Sequence, residues 1–126
     1  MTQEQKEFLL KDLCARLPYG VKFKSENIET ALFVDTSDDE VWINGTCIDD
    51  FKPYLFPLSS MTDEQKQYLK NRFCYDWNNE LHDLWICQIE IGDVDGLIDW
   101  FHKNHIDYRC LIEESLALDA TGLGIY

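Results

Sequence analysis

Residues 61–74 read MTDEQKQYLKNRFC, and residues 1–14 read MTQEQKEFLLKDLC. At an offset of 60 positions the two stretches share Met, Thr, Glu, Gln, Lys, Leu and Cys. Either a unit is repeated, or one way of starting a helix is written twice. Thr2 with Gln5, and Thr62 with Gln65, each spell a capping box. In it the threonine hydroxyl accepts from the N3 amide, and the glutamine side chain reaches back to the cap amide. Glu4, and then Asp63 and Glu64, place negative charge at the positive end of each helix. Leu10, Leu13, Cys14 and Leu17 recur at i, i+3, i+4 and i+7, which predicts one apolar stripe. Leu69, Phe73 and Trp77 hold the matching face of the second helix. Past position 74 the likeness stops, since ARLPYG at 15–20 has no counterpart in YDWNNE at 75–80. Repeat proteins match through the whole unit and stack about three or more of them. The stretches therefore read as two similarly capped helices in one domain spanning 1–126.

Outward from these helices the period changes. Pro18 and Gly20 stop the first one. Val21–Lys24, Ile28–Asp35 and Glu40–Asn44 read as short strands, with turns at Ser37-Asp38-Asp39 and Asn44-Gly45. Residues 51–61, FKPYLFPLSSM, read as a connector pinned to the core. Pro53 and Pro57 lack the amide hydrogen that a helix or a central strand needs. Over 75–91 the pattern suggests a helix ending near 83 and a strand at 85–91. Asp93 then caps a helix carrying Val94, Leu97, Ile98 and Phe101 on one face, with His102 and Lys103 in its last turn and Asn104 as a left-handed cap. Tyr108–Leu116 reads as a further short helix. The expected class is α+β: a small antiparallel meander of three or four strands packed against three to four helices around one core.

The chain has 126 residues, a formal net charge of −13 and 45% hydrophobic residues. This apolar content suits a packed core rather than disorder. Such a negative field repels nucleic acid and anionic membranes and favours a basic partner. Residues 75–126 hold eleven acids against Lys103 and Arg109 alone. Cys14, Cys47, Cys74, Cys87 and Cys110 form no C-x-x-C and are odd in number, so they read as reduced thiols, mostly buried, in a cytoplasmic protein. No signal-peptide core and no run of membrane-spanning length is present in the sequence.

Three stretches, RLPYGVK at 16–22, KPYLFPLSSMT at 52–62 and LIDWFHKNHIDYRCLI at 97–112, together resemble a group of small uncharacterised proteins of gut Bacteroidetes and their phages and mobile elements. That group commonly has Phe where Ile106 stands and Gly where Cys110 stands. The resemblance implies a bacterial or phage cytoplasmic protein and carries no activity with it.

Few residues announce chemistry. His102 and His105, with Asp99 and Asp107, resemble a metal-ligand set, but neither H-E-x-x-H nor paired C-x-x-C is present. There is no G-x-S-x-G elbow and no phosphate-cradling glycine loop before a helix. No cofactor or catalytic residue is therefore assigned. The marked cluster is Asp107-Tyr108-Arg109. Arg109 is the only arginine of the acidic half, and its fork suits either an internal carboxylate or, with Trp100, His105 and Tyr108, a recognition patch. The favoured reading is a non-enzymatic accessory protein whose acidic surface meets a basic protein partner, with self-association also open. Two alternatives stand beside it: an acidic DNA mimic inhibiting a defence nuclease, and a small hydrolase or metal enzyme using His102 and His105.

Overall fold

Both capping boxes form. Thr2 Oγ1 accepts from the Gln5 amide at 3.1 Å and Gln5 Oε1 accepts from the Thr2 amide at 2.8 Å. Thr62 and Gln65 repeat the arrangement at 3.1 and 2.9 Å. They open α1, Gln3–Arg16, and α2, Asp63–Phe73. The computed structural model describes residues 2–37, 39–73 and 94–126, with backbone alone at Phe73 and Val94. The helix end and strand expected over 75–91, and the cap at Asp93, lie outside the described residues. The two helices are not equivalent units. Leu9 and its counterpart Leu69 are both fully buried, but Asp12 is buried where its counterpart Arg72 is exposed.

That asymmetry corrects the expected stripe of α1. The helix buries Leu9, Asp12, Leu13 and Arg16, while Cys14 is exposed and Leu10 and Leu17 pack at the margin. Asp12 and Arg16 neutralise each other one turn apart, so two charged residues take interior places that apolar periodicity alone cannot assign. The described thiols depart from the expected burial: Cys14 and Cys110 are exposed and Cys47 is half-buried, and all three are free, while Cys74 and Cys87 lie outside the described residues.

After α1 the chain makes a 3-10 turn at Leu17–Tyr19 and leaves through Gly20 at φ 71, as Pro18 and Gly20 predict. Then follow β1 (Lys22–Lys24), β2 (Ile28–Thr30), β3 (Val34–Ser37), β4 (Glu40–Ile43) and β5 (Thr46–Cys47). A three-stranded antiparallel meander is present as β3-β4-β5, built from the end of the expected strand 28–35, the expected strand 40–44 and Thr46–Cys47. β1 and β2 form a separate hairpin, antiparallel with Lys22 opposite Thr30.

The expected connector is a strand instead. β6, Lys52–Pro57, lies inside a sheet of five described strands and pairs with β1, with β7 (Ile106–Asp107) and with β8 (Leu118–Asp119). The prolines stand near its two ends, so the amides between them stay available. Phe56 donates to the His105 carbonyl at 2.8 Å, and the Leu55 carbonyl accepts from Ala120 at 2.8 Å. β1 pairs with β6 antiparallel, whereas β7 and β8 run parallel to it. A parallel partner requires a crossover, and the stretch holding α2 and α3 (Val94–Lys103) supplies it for β7.

Among the described residues, most buried apolar side chains fall into two clusters rather than the single one expected. Leu9, Leu13, Val21, Phe23, Ile43, Phe51 and Leu55 belong to one. Leu58, Met61, Leu69, Leu97, Phe101 and Ile106 form the other. β6 passes between them, giving Leu55 to the first and Phe56 to the margin of the second. Each fully buried leucine or phenylalanine contributes roughly 1.5–3 kcal/mol. The class is α+β, with these two clusters on either side of its central strand.

The short helix expected over 108–116 is absent; turns occupy 111–115. Asp107 explains this. Its buried carboxylate accepts from the amides of Arg109 at 3.3 Å, Leu111 at 3.0 Å and Ile112 at 2.9 Å, which takes up donors that a helix would use. Cys110 and Ser115 then adopt φ values of 60 and 61, in the left-handed region. Glycine prefers that region. At the end of α3 the left-handed residue is His105, φ 59, rather than Asn104, whose side chain instead donates to the Trp100 carbonyl.

Candidate functional site

The sequence-marked residues do not assemble into one patch. They are split between the first two of three settings, with Trp100 apart from both.

The first is a charged network inside the protein. Arg16 is fully buried; its Nε lies 2.7 Å from Asp12 Oδ2, and Nη2 donates to the Ile106 carbonyl at 2.7 Å. Arg109 Nε approaches the other carboxylate oxygen, Asp12 Oδ1, at 3.2 Å. Its hydrogen, however, is directed at the Tyr108 hydroxyl, 3.0 Å away, and Nη2 reaches the same hydroxyl at 2.8 Å. The Arg109–Asp12 contact is therefore electrostatic, and Oδ1 accepts no hydrogen bond. The Tyr108 hydroxyl also meets His102 Nε2 at 2.7 Å. Burial and the nearby Arg16 lower the pKa of His102, so it does not serve as the cation expected at the end of α3. Two guanidiniums thus share one carboxylate, with Tyr108 hydrogen-bonded to Arg109 and His102 to Tyr108. Arg109 thus pairs internally with a carboxylate of α1, by charge through Nε rather than by its fork.

The second setting holds His105. Its ring stacks on Tyr126 with centroids 3.7 Å apart and planes 13° apart. Burial, Arg16 and Lys22 push its pKa down to about 4. The Tyr126 hydroxyl accepts from the Lys22 amide at 2.8 Å and donates to the Tyr54 carbonyl at 2.7 Å, fastening this end of the chain across β1 and β6. Trp100 is elsewhere, stacked on Tyr68 at 5.9 Å.

The proposed metal ligands are likewise engaged apart: Asp99 accepts from the Tyr19 hydroxyl, and Asp107 is spent on backbone amides. Among the described residues the donors that do converge are those of Glu40, Cys47 and Asp49, within 4.8 Å of one another. Lys6 Nζ sits 3.4 Å from Asp49 and 4.0 Å from Glu40, so an ammonium already offsets part of this acidic pair's charge. The exposed Cys110 thiol has its pKa raised by partial burial and by Glu113, Asp107 and Glu114, the opposite of an activated thiolate.

The third setting was not legible in the sequence. Leu32 and Phe33 join β2 to β3 and are 75% and 55% exposed, with Ile28 on β2 51% exposed. Their backbone is held firmly. Asn44, at φ 51 in the turn between β4 and β5, accepts from the Leu32 and Phe33 amides at 2.9 and 3.3 Å through Oδ1. Its Nδ2 donates to the Thr30 carbonyl at 2.7 Å, and its amide donates to the Phe33 carbonyl at 3.2 Å. The apolar run ALFV at 31–34 signals a buried strand, but only Ala31 is buried and Val34 half-buried. What the sequence offered was Asn44-Gly45 as a turn, with no hint that the asparagine clamps residues twelve positions earlier. No family model, no curated protein and no solved structure matches this chain.

Proposed function

We propose that the protein is a non-enzymatic, cytoplasmic accessory protein that binds a basic protein partner through the surface around Leu32 and Phe33. One observation carries this reading: two large apolar side chains stand in solvent on a backbone fixed by the Asn44 clamp. Exposed apolar groups cost a protein solubility and are a mark of interaction sites when they cluster. Fixing them beforehand lowers the entropy lost on association. Glu29 and Asp35 flank the pair and are exposed, which favours a partner carrying lysine or arginine around an apolar recess. In contrast, His102 and His105 each have an internal structural partner, so the geometry lends no support to hydrolysis by them. No helix among the described residues is long and apolar enough to cross a membrane. The test is affinity capture from a bacterial lysate at rising salt, with the wild-type chain beside a Leu32→Ser/Phe33→Ser variant. A protein retained at low salt by the wild type and lost with the variant supports the reading. Capture that ignores both substitutions refutes it.

A further inference from the structure

We infer that the partner is bound as an added β-strand: an extended, lysine- or arginine-bearing segment pairing with the edge of β3 that faces away from β4. This rests on the partner-binding reading above and specifies its mode. Among the described residues β3 is the edge of its sheet. The Asn44 amide bonds the Phe33 carbonyl, which makes 33 and 44 a hydrogen-bonded pair. In an antiparallel ladder such pairs alternate, so Asp35–Trp42 and Ser37–Glu40 are the next ones. The N–H and C=O groups of Val34 and Thr36 therefore point away from β4. Four backbone groups face outward in register, directly after the fixed and exposed Leu32 and Phe33. Strand addition draws affinity from such groups and specificity from neighbouring side chains.

Charge selects the occupant. From residue 25 to residue 51 the chain carries eight acids and no lysine, arginine or histidine. Asp35, Asp39 and Glu29 are exposed near this edge. A second copy would bring the same acids against its own kind, and like charges directly opposite destabilise a strand pair. Nucleic acid is repelled by the same field. A basic extended segment is attracted, and it supplies the donors and acceptors that the edge lacks.

The test titrates the whole isotope-labelled chain with three capped peptides of about eight residues: alternating Lys and Val, alternating Glu and Val, and the Lys–Val peptide with alternate backbone amides N-methylated. The Lys–Val peptide alone should slow hydrogen exchange at the Val34 and Thr36 amides by about tenfold or more. Thr36→Pro removes an outward donor without touching the β3–β4 ladder, a place where an edge strand tolerates proline. It should weaken that peptide by about tenfold while the unfolding transition stays in place. Equal binding of the N-methylated peptide, protection away from Val34 and Thr36, or no binding at all would overturn strand addition. So would protection of both amides that rises with protein concentration alone, which would give the edge to a second copy. If a captured partner is lost with Leu32→Ser/Phe33→Ser yet retained by Thr36→Pro, strand addition falls and the partner-binding reading stands.

Discussion

Replacing Asp12 with asparagine removes the single carboxylate that two guanidiniums share, while leaving volume and shape nearly unchanged. Arg16 has no solvent exposure, and its Nε lies 2.7 Å from the carboxylate. Arg109 is 16% exposed at the side chain and 3.2 Å away. In Asp12→Asn the amide oxygen satisfies one of them, and its NH2 group then faces the other as donor against donor. Breaking a buried pair by removing one partner costs about 3–5 kcal/mol, because the remaining charge is stranded. Arg109 keeps Tyr108 and some water, so the lower end applies, about 3 kcal/mol. Against a total stability of roughly 5–15 kcal/mol this is a large share. For a chain of this size it lowers Tm by roughly 10 °C. Urea unfolding followed by circular dichroism measures it. Arg109→Met should cost only about 1 kcal/mol, because it leaves a balanced Asp12–Arg16 pair. The double variant Asp12→Leu/Arg16→Met, which replaces the buried pair with apolar groups, should be more stable than Asp12→Asn alone. A loss under about 1 kcal/mol for Asp12→Asn, or a double variant worse than that single one, would refute the reasoning.

Asn44→Ala should cost about 2–3 kcal/mol, from the three side-chain hydrogen bonds it makes and the left-handed φ it holds, and Asn44→Gly should recover only the backbone part; urea titration of both separates the two contributions. Cys110→Gly should stabilise by up to about 1 kcal/mol, since glycine relieves the strain at φ 60 but adds chain entropy to the unfolded state. Stability should fall between pH 6.5 and about 4, because His105 is held neutral: its folded pKa of about 4 lies below the unfolded 6.5, so the unfolded chain takes up protons first as pH drops. The ring is only half-buried and screening reduces the effect to the order of 1 kcal/mol; a His105→Asn variant, which tolerates the left-handed φ, should show a flatter profile over that window in thermal scans.

Local grammar was readable in this chain. Thr2–Gln5, Thr62–Gln65, Pro18 with Gly20 and the stripe Leu97–Phe101 act over one or two turns of backbone, and each forms as written. What was not readable depends on partners distant in sequence. Pro53 and Pro57 argue against a central strand until β7 and β8 return to pair with the amides and carbonyls between them. Arg16 resembles a surface cation at a helix end until Asp12 and the Ile106 carbonyl, 90 positions away, enclose it. Asp107-Tyr108-Arg109 looked like one polar cluster, but consecutive residues point differently. Asp107 turns its carboxylate to the backbone that follows, while Arg109 reaches back to α1. Periodicity carries no information about either choice.

The placement of the cations bears on function more than the total charge does. Arg16 is buried and Arg109 nearly so, both held by one interior carboxylate, so neither offsets the acids outside. Lys6 is bound to Asp49 and Glu40. What remains around β2, β3 and the turn after them is a stretch whose only ionisable side chains, apart from Cys47, are carboxylates. A field of one sign raises the rate of encounter with a basic partner by about 10–10³-fold, and salt removes the gain. The contribution of Leu32 and Phe33, being apolar, does not fade in the same way. The two can therefore be separated: added salt should slow association with a basic partner while leaving its dissociation nearly unchanged, whereas Leu32→Ser/Phe33→Ser should speed dissociation. A partner whose dissociation responds to salt as strongly as its association would place the acids in the contact itself, and the apolar pair would no longer be the anchor.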